Sequence, residues 1–344
     1  KTGIMFTNFV GIDVSKSKFD LALIKDQDKD HVIQGVFDIT HKGIKTMSKF
    51  LEKEHHIELS KTIFCVEFTG VYCRPLTSFF VEQDCHVWIE MPVNIIRSLG
   101  LQRGKNDRID AHRIALYAYK NRDDIKLWKP QREAILKLRD LLALRERLIS
   151  AQKSLQMPIN EKISMGDKKG AEMLRKGCQK SMSSLENEIG QIDKNLDDII
   201  KDDPQLKELF QLATSVPGIG KLTALFMICF TNEFSMYTNP KQLACYCGVA
   251  PFEHSSGSSI RGRTRVSHMA NKVLKRMLHM GAMSVISRDP ELREYYQRKV
   301  AQGKNKMLVI NAVRNKIIHR LCAVIKRGYE YQSENIFKER LVLS

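Results

Sequence analysis

Four carboxylates stand at positions where an acid needs a reason. Asp13 ends the apolar run Phe9-Val10-Gly11-Ile12, and Glu67 follows the apolar run Ile63-Phe64-Cys65-Val66. An acid at the end of a buried strand costs free energy unless a partner or ligand compensates it. Asp107 and Asp110 are three residues apart, so on a helix they share a face. Four carboxylates brought together repel one another unless cations intervene. Magnesium, which prefers oxygen ligands, is the expected ion. Two such ions about 4 Å apart would clamp the attacking and leaving oxygens of a phosphodiester. The chain contains 39 acids, so spacing alone also admits four unrelated charges.

Three further patterns point to phosphate. In Val216-Pro217-Gly218-Ile219-Gly220-Lys221 a Gly-x-Gly turn opens a helix, whose free N–H groups suit a DNA backbone. An ordinary turn between helices, with glycine supplying a positive φ, fits the same residues. His254-Ser255-Ser256-Gly257-Ser258-Ser259 precedes Arg261, Arg263 and Arg265. From His254 to Arg288 there are seven Lys or Arg, Lys272 and Arg276 among them, and no Asp or Glu. Arginine offers bidentate donors to phosphate oxygens, and a serine there could attack phosphorus. A solvated Ser/Gly loop is the plain alternative. Between Tyr295 and Tyr329 lie nine basic residues, including Lys304, Lys306 and Arg314, and no acid. A stripe of one sign favours nucleic acid over a plain solvated helix.

The elements that must position these residues follow from apolar periodicity. Phe9–Val14, Lys18–Ile24 and Val32–Phe37 read as strands, His41–Glu54 as a helix and Thr62–Val66 as a doubly buried strand. A helix from about Tyr72 to Gln83, a strand Cys85–Ile89 and a loop entering a helix over Lys105–Tyr119 complete the region. The order predicts a mixed sheet flanked by helices. Trp128-Lys129-Pro130 reads as a boundary. Beyond it, Met182, Leu185, Ile189, Ile192, Leu196 and Ile199 form an a/d seam, either a helical hairpin or a coiled coil between copies. Three domains are expected: 5–128 catalytic, 131–203 a helical linker, and 205–330 a mainly α-helical domain. Asn271–Ser287 and Lys304–Lys326 are its clearest amphipathic helices.

Composition narrows the function classes. The 344 residues carry a net charge of +17 with 43% hydrophobic residues, which predicts folded domains and a polyanionic partner. No apolar run approaches the roughly 20 residues of a membrane span, and no signal peptide is evident. Lys1 to Ile4 precede Met5 and are expected to be an expression remnant. The eight cysteines form no CxxC pair, so zinc is not expected, and reduced thiols in a cytoplasmic protein are.

Read together, the motifs resemble a known family. Gly11-Ile12-Asp13-Val14-Ser15-Lys16, Glu67-Phe68-Thr69-Gly70-Val71-Tyr72 with Arg74-Pro75-Leu76, and Lys105-Asn106-Asp107-Arg108-Ile109-Asp110-Ala111 resemble the N-terminal domain of the DEDD-type, Piv-like insertion-sequence transposases, the bridge-RNA-guided recombinases. Val216 to Gly220, Gly248-Val249-Ala250-Pro251, Ser255-Ser256-Gly257 and Arg261-Gly262-Arg263 resemble that family's C-terminal domain. Asn106 stands where many members have threonine. The resemblance implies a RuvC-like ribonuclease H fold, with magnesium on Asp13, Glu67, Asp107 and Asp110. It implies a nucleophilic serine, which falls on Ser256 with Ser255 as the neighbouring alternative. It further implies donor and target double-stranded DNA, a structured noncoding guide RNA, and a homo-oligomer, dimeric and then tetrameric in the active complex. In that complex the acids of one subunit face the serine of another. Two other functions fit the residues alone: a RuvC-like nuclease or junction resolvase using water, and a non-catalytic nucleic-acid-binding protein.

Overall fold

The computed structural model describes residues 5–332 apart from 69, 100–106, 238, 257–259 and 267–269, with the backbone alone at 29, 71 and 99 and over 251–265. Two compact units result, Lys1–Pro130 and Gln131–Ser344.

In the first unit, β1 (Asn8–Val14), β2 (Lys18–Lys25) and β3 (Asp28–Asp38) precede α1 (His41–Lys49). Then come β4 (Thr62–Glu67), α2 (Arg74–Glu82), β5 (His86–Glu90), α3 (Pro92–Leu99) and α4 (Asp107–Lys120). The five strands form one sheet in the order β3-β2-β1-β4-β5. β2 runs antiparallel to both β1 and β3, whereas β4 and β5 run parallel to β1. This is the mixed sheet with flanking helices expected from the order of the elements.

Both faces of the central strands are covered, which explains their continuous apolar runs. Val10, Ile12, Leu21, Phe64 and Val66 pack with Ile44 and Met47 of α1 and Leu76 and Phe80 of α2. Phe9, Ala22, Ile63, Cys65 and Trp88 face the other way, against Ala111, Ile114, Ala115 and Ala118 of α4. Gly11 lies on this second face. A Cβ there would stand 2.1 Å from the Ala115 amide nitrogen and 2.3 Å from the Ala111 carbonyl oxygen. The backbone of α4 therefore rests directly on β1, with no side chain between.

Three elements differ from the periodicity reading. The third strand extends over Asp28–Asp38, beyond its apolar part. The helix from His41 changes at Phe50 into a π turn, Phe50–Glu54, which buries Leu51 and sets the Phe50 ring against Phe37 and His55. α3 is a short helix whose start at Pro92 carried no periodic signal.

The second unit opens with α5 (Glu133–Ser164) and α6 (Lys168–Asp202), joined by a turn at Met165–Asp167. The apolar seam of α6 packs within the chain: Ile192 and Leu196 share a core with Ile135, Leu138 and Leu142 of α5. Arg145 fixes the register by a bidentate pair with Asp193, at 2.7 and 3.1 Å. α7 (Pro204–Ser215), α8 (Lys221–Phe230) and α9 (Pro240–Tyr246) follow, then β6 (Pro251–Ser256), β7 (Ile260–Val266), α10 (Lys272–Arg288), α11 (Pro290–Ala301) and α12 (Lys306–Arg327). Asp203-Pro204, Asn239-Pro240 and Asp289-Pro290 start three of these helices alike. In each, the Asx side chain accepts a backbone N–H, and proline takes a position that needs none. No helix among the described residues is long and apolar enough to cross a membrane.

Candidate active site

The sheet registry gathers acids at one end and on one face. Asp13 of β1 is paired with Asp20 of β2, and Glu67 of β4 is paired with Glu90 of β5. Ile12 is aligned with Val66, so Asp13 and Glu67 stand at neighbouring strand ends. Asp13 is two residues from Gly11 and so shares its face, the one beneath α4. Asp107 and Asp110 occupy the first turn of α4. Resting α4 on Gly11 brings that turn over the row.

The acids are compensated unequally. Glu90 is buried and accepts from the Met91 amide at 2.8 Å, Asn94 Nδ2 at 2.7 Å and the Tyr117 hydroxyl at 3.0 Å. Asp110 pairs with Arg113 at 2.7 Å. Asp107 pairs with Lys18 at 3.3 Å, and the buried Asp20 has the same Lys18 at 3.6 Å. Asp13 receives no hydrogen bond or ion pair from any described residue. Burial first, then the charges of Glu67, Asp107, Asp110 and Asp20, push its carboxyl up to about 6. This is the signature of a carboxylate set that calls for a cation. Among the described residues no three acidic, imidazole or thiol groups already form a metal cage. The donors are all hard oxygens around a half-buried acid that lacks a counter-charge, and they fit magnesium better than a softer ion.

Sequence reasoning passed over Asp20, Glu90, Gly11 and Lys18. Glu90 follows the apolar Val87-Trp88-Ile89 just as Glu67 follows its own strand, so the same rule would have found it. Asp20 interrupts an apolar strand between Phe19 and Leu21, and that was its signal. Lys105, Asn106 and Thr69 of the acidic motifs lie outside the described residues.

Two transposase family models match the chain. One, a DEDD transposase model of the IS110 type, covers residues 10–161, and the other, described as the transposase IS116/IS110/IS902 family, covers residues 210–297. The chain belongs to this family. It is 28% identical over 331 residues to a pilin gene-inverting protein of Moraxella bovis, covering 94% of this chain and 97% of the relative. It is also 28% identical to the transposase for insertion sequence element IS1111A of Coxiella burnetii, covering 54% and 56%. An insertion element IS110 protein of Streptomyces coelicolor is 32% identical over 36% of this chain and 31% of its own length. The solved structure of Thermus thermophilus RuvC aligns with 35% of the chain and 99% of its own, at 14% identity and a TM-score of 0.26. The protein is thus a DNA transposase or recombinase of the IS110 type.

The remaining candidates of the transposase lie in its second unit. The stretch read as a Ser/Gly loop has strands on both sides, with Ser255 paired to Arg261 and Ser256 paired to Ile260. Gly257, Ser258 and Ser259 lie outside the described residues, as do the side chains of Ser255, Ser256, Arg261, Arg263 and Arg265. The hairpin's base is held from both sides: Asn311 of α12 donates to the Val249 carbonyl at 2.7 Å, and the Asn271 amide donates to the Tyr246 carbonyl at 2.8 Å. Gly218 has φ +91° and packs against α10, where a Cβ on Gly281 would stand 2.2 Å from the Gly218 carbonyl. Gly220 is exposed at the start of α8, whose end has no side-chain cap. Lys221 reaches Asp197 of α6 at 2.7 Å. Lys272, Lys304 and Lys306 are exposed, and Arg276 pairs with Glu146. Arg314 stands apart: it is buried, and its guanidinium lies 2.7 Å from His279 Nδ1. The stripe reading placed it at a surface, but its helix turns this position inward.

Proposed function

We propose that this transposase cleaves and exchanges DNA strands at a magnesium-dependent acidic site, using Ser256 as nucleophile and a structured noncoding RNA as guide. The observation that carries the reading is Asp13, held at a raised pKa among four carboxylates with no counter-charge of its own. Magnesium bound by Asp13, Glu67, Asp107 and Asp110 would offset the charge that develops on the scissile phosphate. Gly11 and Ala115 keep Asp107 and Asp110 over the strand ends, and Glu90 anchors α4 through Tyr117. The Ser256 hydroxyl attacks phosphorus. An O–P bond forms as the bond to one flanking sugar oxygen breaks, and that oxygen takes up a proton. A sugar hydroxyl of the other DNA end then attacks the same phosphorus and releases the serine. Arg261, Arg263 and Arg265 bind backbone phosphates beside it. The net charge of +17 suits a chain that handles two DNA duplexes and an RNA together. A composite site, with the acids of one subunit serving the serine of another, is the oligomeric form of this proposal.

The test is covalent trapping. Full-length protein, magnesium, the element's own transcript and end-labelled DNA carrying the element's ends are mixed and run on a denaturing protein gel. A labelled adduct lost in Ser256→Ala and in Asp13→Asn, but kept in Ser255→Ala, is the expected result. Cleavage without any adduct, kept in both serine variants and lost in Asp13→Asn, overturns the serine and leaves a water-using nuclease. An adduct lost in Ser255→Ala alone moves the nucleophile by one residue.

A further inference from the structure

Lys18 stands at the start of β2, and its ammonium bridges two parts of the acidic site. It lies 3.6 Å from Asp20 Oδ2 on its own strand and 3.3 Å from Asp107 Oδ2 on α4. The two contacts differ in kind. Asp20 is 3% exposed and fixed in the sheet, whereas the Asp107 side chain is 56% exposed and that of Lys18 46%. Lys18 therefore has one partner fixed in the sheet and a second, closer one on an exposed side chain. Arg113, by contrast, is committed at 2.7 Å to Asp110 within the same helix.

We propose, building on the reading of the acids as a divalent-cation site, that Lys18 has two working positions. Without a divalent ion it neutralises Asp107. With the ion on Asp107, it keeps Asp20 and turns its ammonium to a non-bridging oxygen of a DNA backbone phosphate at the site. The physical reason is charge. A doubly charged ion at Asp107 replaces the attraction felt by Lys18 with a repulsion. A compact, hydrated ammonium on a four-carbon stem can swing without disturbing the strand. The buried Asp20 keeps it from leaving the site. Once released from Asp107, the ammonium is the cation already tethered where a phosphodiester must approach the acids. Lys18 is thus a positioning residue for the backbone and a competitor of the metal.

The experiment uses the full-length chain with manganese as probe, followed by isothermal calorimetry, in wild type, Lys18→Met, Lys18→Arg and Asp13→Asn. Lys18→Met is expected to bind manganese about twofold to fivefold more tightly, the range for losing one competing exposed ion pair. Binding to a DNA duplex is then followed against salt, with calcium or with chelator. With calcium, Lys18→Met should lose about one phosphate contact from the log–log salt slope, and Lys18→Arg should keep it. With chelator, the slopes of wild type and Lys18→Met should coincide. Unchanged or weaker manganese binding in Lys18→Met, or an unchanged slope with calcium, overturns the proposal. Manganese binding that is lost in Asp13→Asn but unaltered in Lys18→Met sinks the role of Lys18 alone. Binding that is absent from wild type, or equal in wild type and Asp13→Asn, sinks the cation site as well.

Discussion

Replacing Asp13 by asparagine should stabilise the metal-free N-terminal unit while ending catalysis. The carboxyl of Asp13 rises from the usual 3.8 to about 6 because burial and four acidic neighbours oppose its ionisation. That rise corresponds to about 3 kcal/mol. Asp13 is only half-buried, and solvent and salt reduce this to about 1–2 kcal/mol. The sign follows from proton linkage. The folded state holds this proton more tightly than the unfolded chain does, so the penalty is absent below about pH 4. It grows as pH rises and is complete above about pH 6. Asparagine carries no charge at any pH, so the gain appears only where Asp13 would ionise. For a unit of roughly 130 residues, 1 kcal/mol moves the Tm by about 4 °C. Asp13→Asn should therefore raise the first unfolding transition by about 4–8 °C at pH 7.5 in chelator, with no difference at pH 4. Added magnesium should stabilise wild type and leave the variant unmoved. The measurement is thermal unfolding of the full chain by circular dichroism. A lower Tm in Asp13→Asn at pH 7.5, or the same shift at both pH values, would refute the reasoning.

Two glycine substitutions test the packing beneath the proposed chemistry. Gly11→Ala places a Cβ 2.1 Å from the Ala115 nitrogen, so α4 must lift; denaturant unfolding should show a loss of about 1–3 kcal/mol, and DNA cleavage should fall with it. Gly281→Ala sits inside α10, where alanine normally adds about 0.5–1 kcal/mol. Its Cβ would meet the Gly218 carbonyl at 2.2 Å, so a net destabilisation is expected, and a gain would remove that turn from the packing argument.

Much of the first unit was legible because its chemistry is local. Apolar runs ending in an acid at Asp13 and Glu67 marked both a strand and a candidate site residue, and the apolar pattern of Lys18–Ile24 marked the next strand. What escaped depends on partners distant in sequence. The pairing of Asp13 with Asp20, and of Glu67 with Glu90, is set by strand register. The requirement for Gly11 comes from a helix a hundred residues on. β6 and β7 carry serine and arginine in place of apolar alternation, so composition suggested a loop. Two members of the basic stripe near the C-terminus escaped for a related reason. Arg320, counted as part of it, is answered by Asp289 and Glu291 at the start of α11, outside the window that held no acid. Arg314 is buried beside His279. Charge counted along the chain does not register where a helix turns each residue.

The contact of α4 with Gly11 acts as a fulcrum. Backbone meets backbone there, so no side chain at Gly11 can give way, and a displacement of α4 is carried along the helix as a rod. At 1.5 Å of rise per residue, Asp107 lies about 6 Å along the rod from Ala111. A tilt of about ten degrees would carry its backbone by about 1 Å, more than the roughly 0.5 Å tolerance of a working site. Whatever presses on the far arm of α4, toward Lys120, is geared directly to the spacing of the acids.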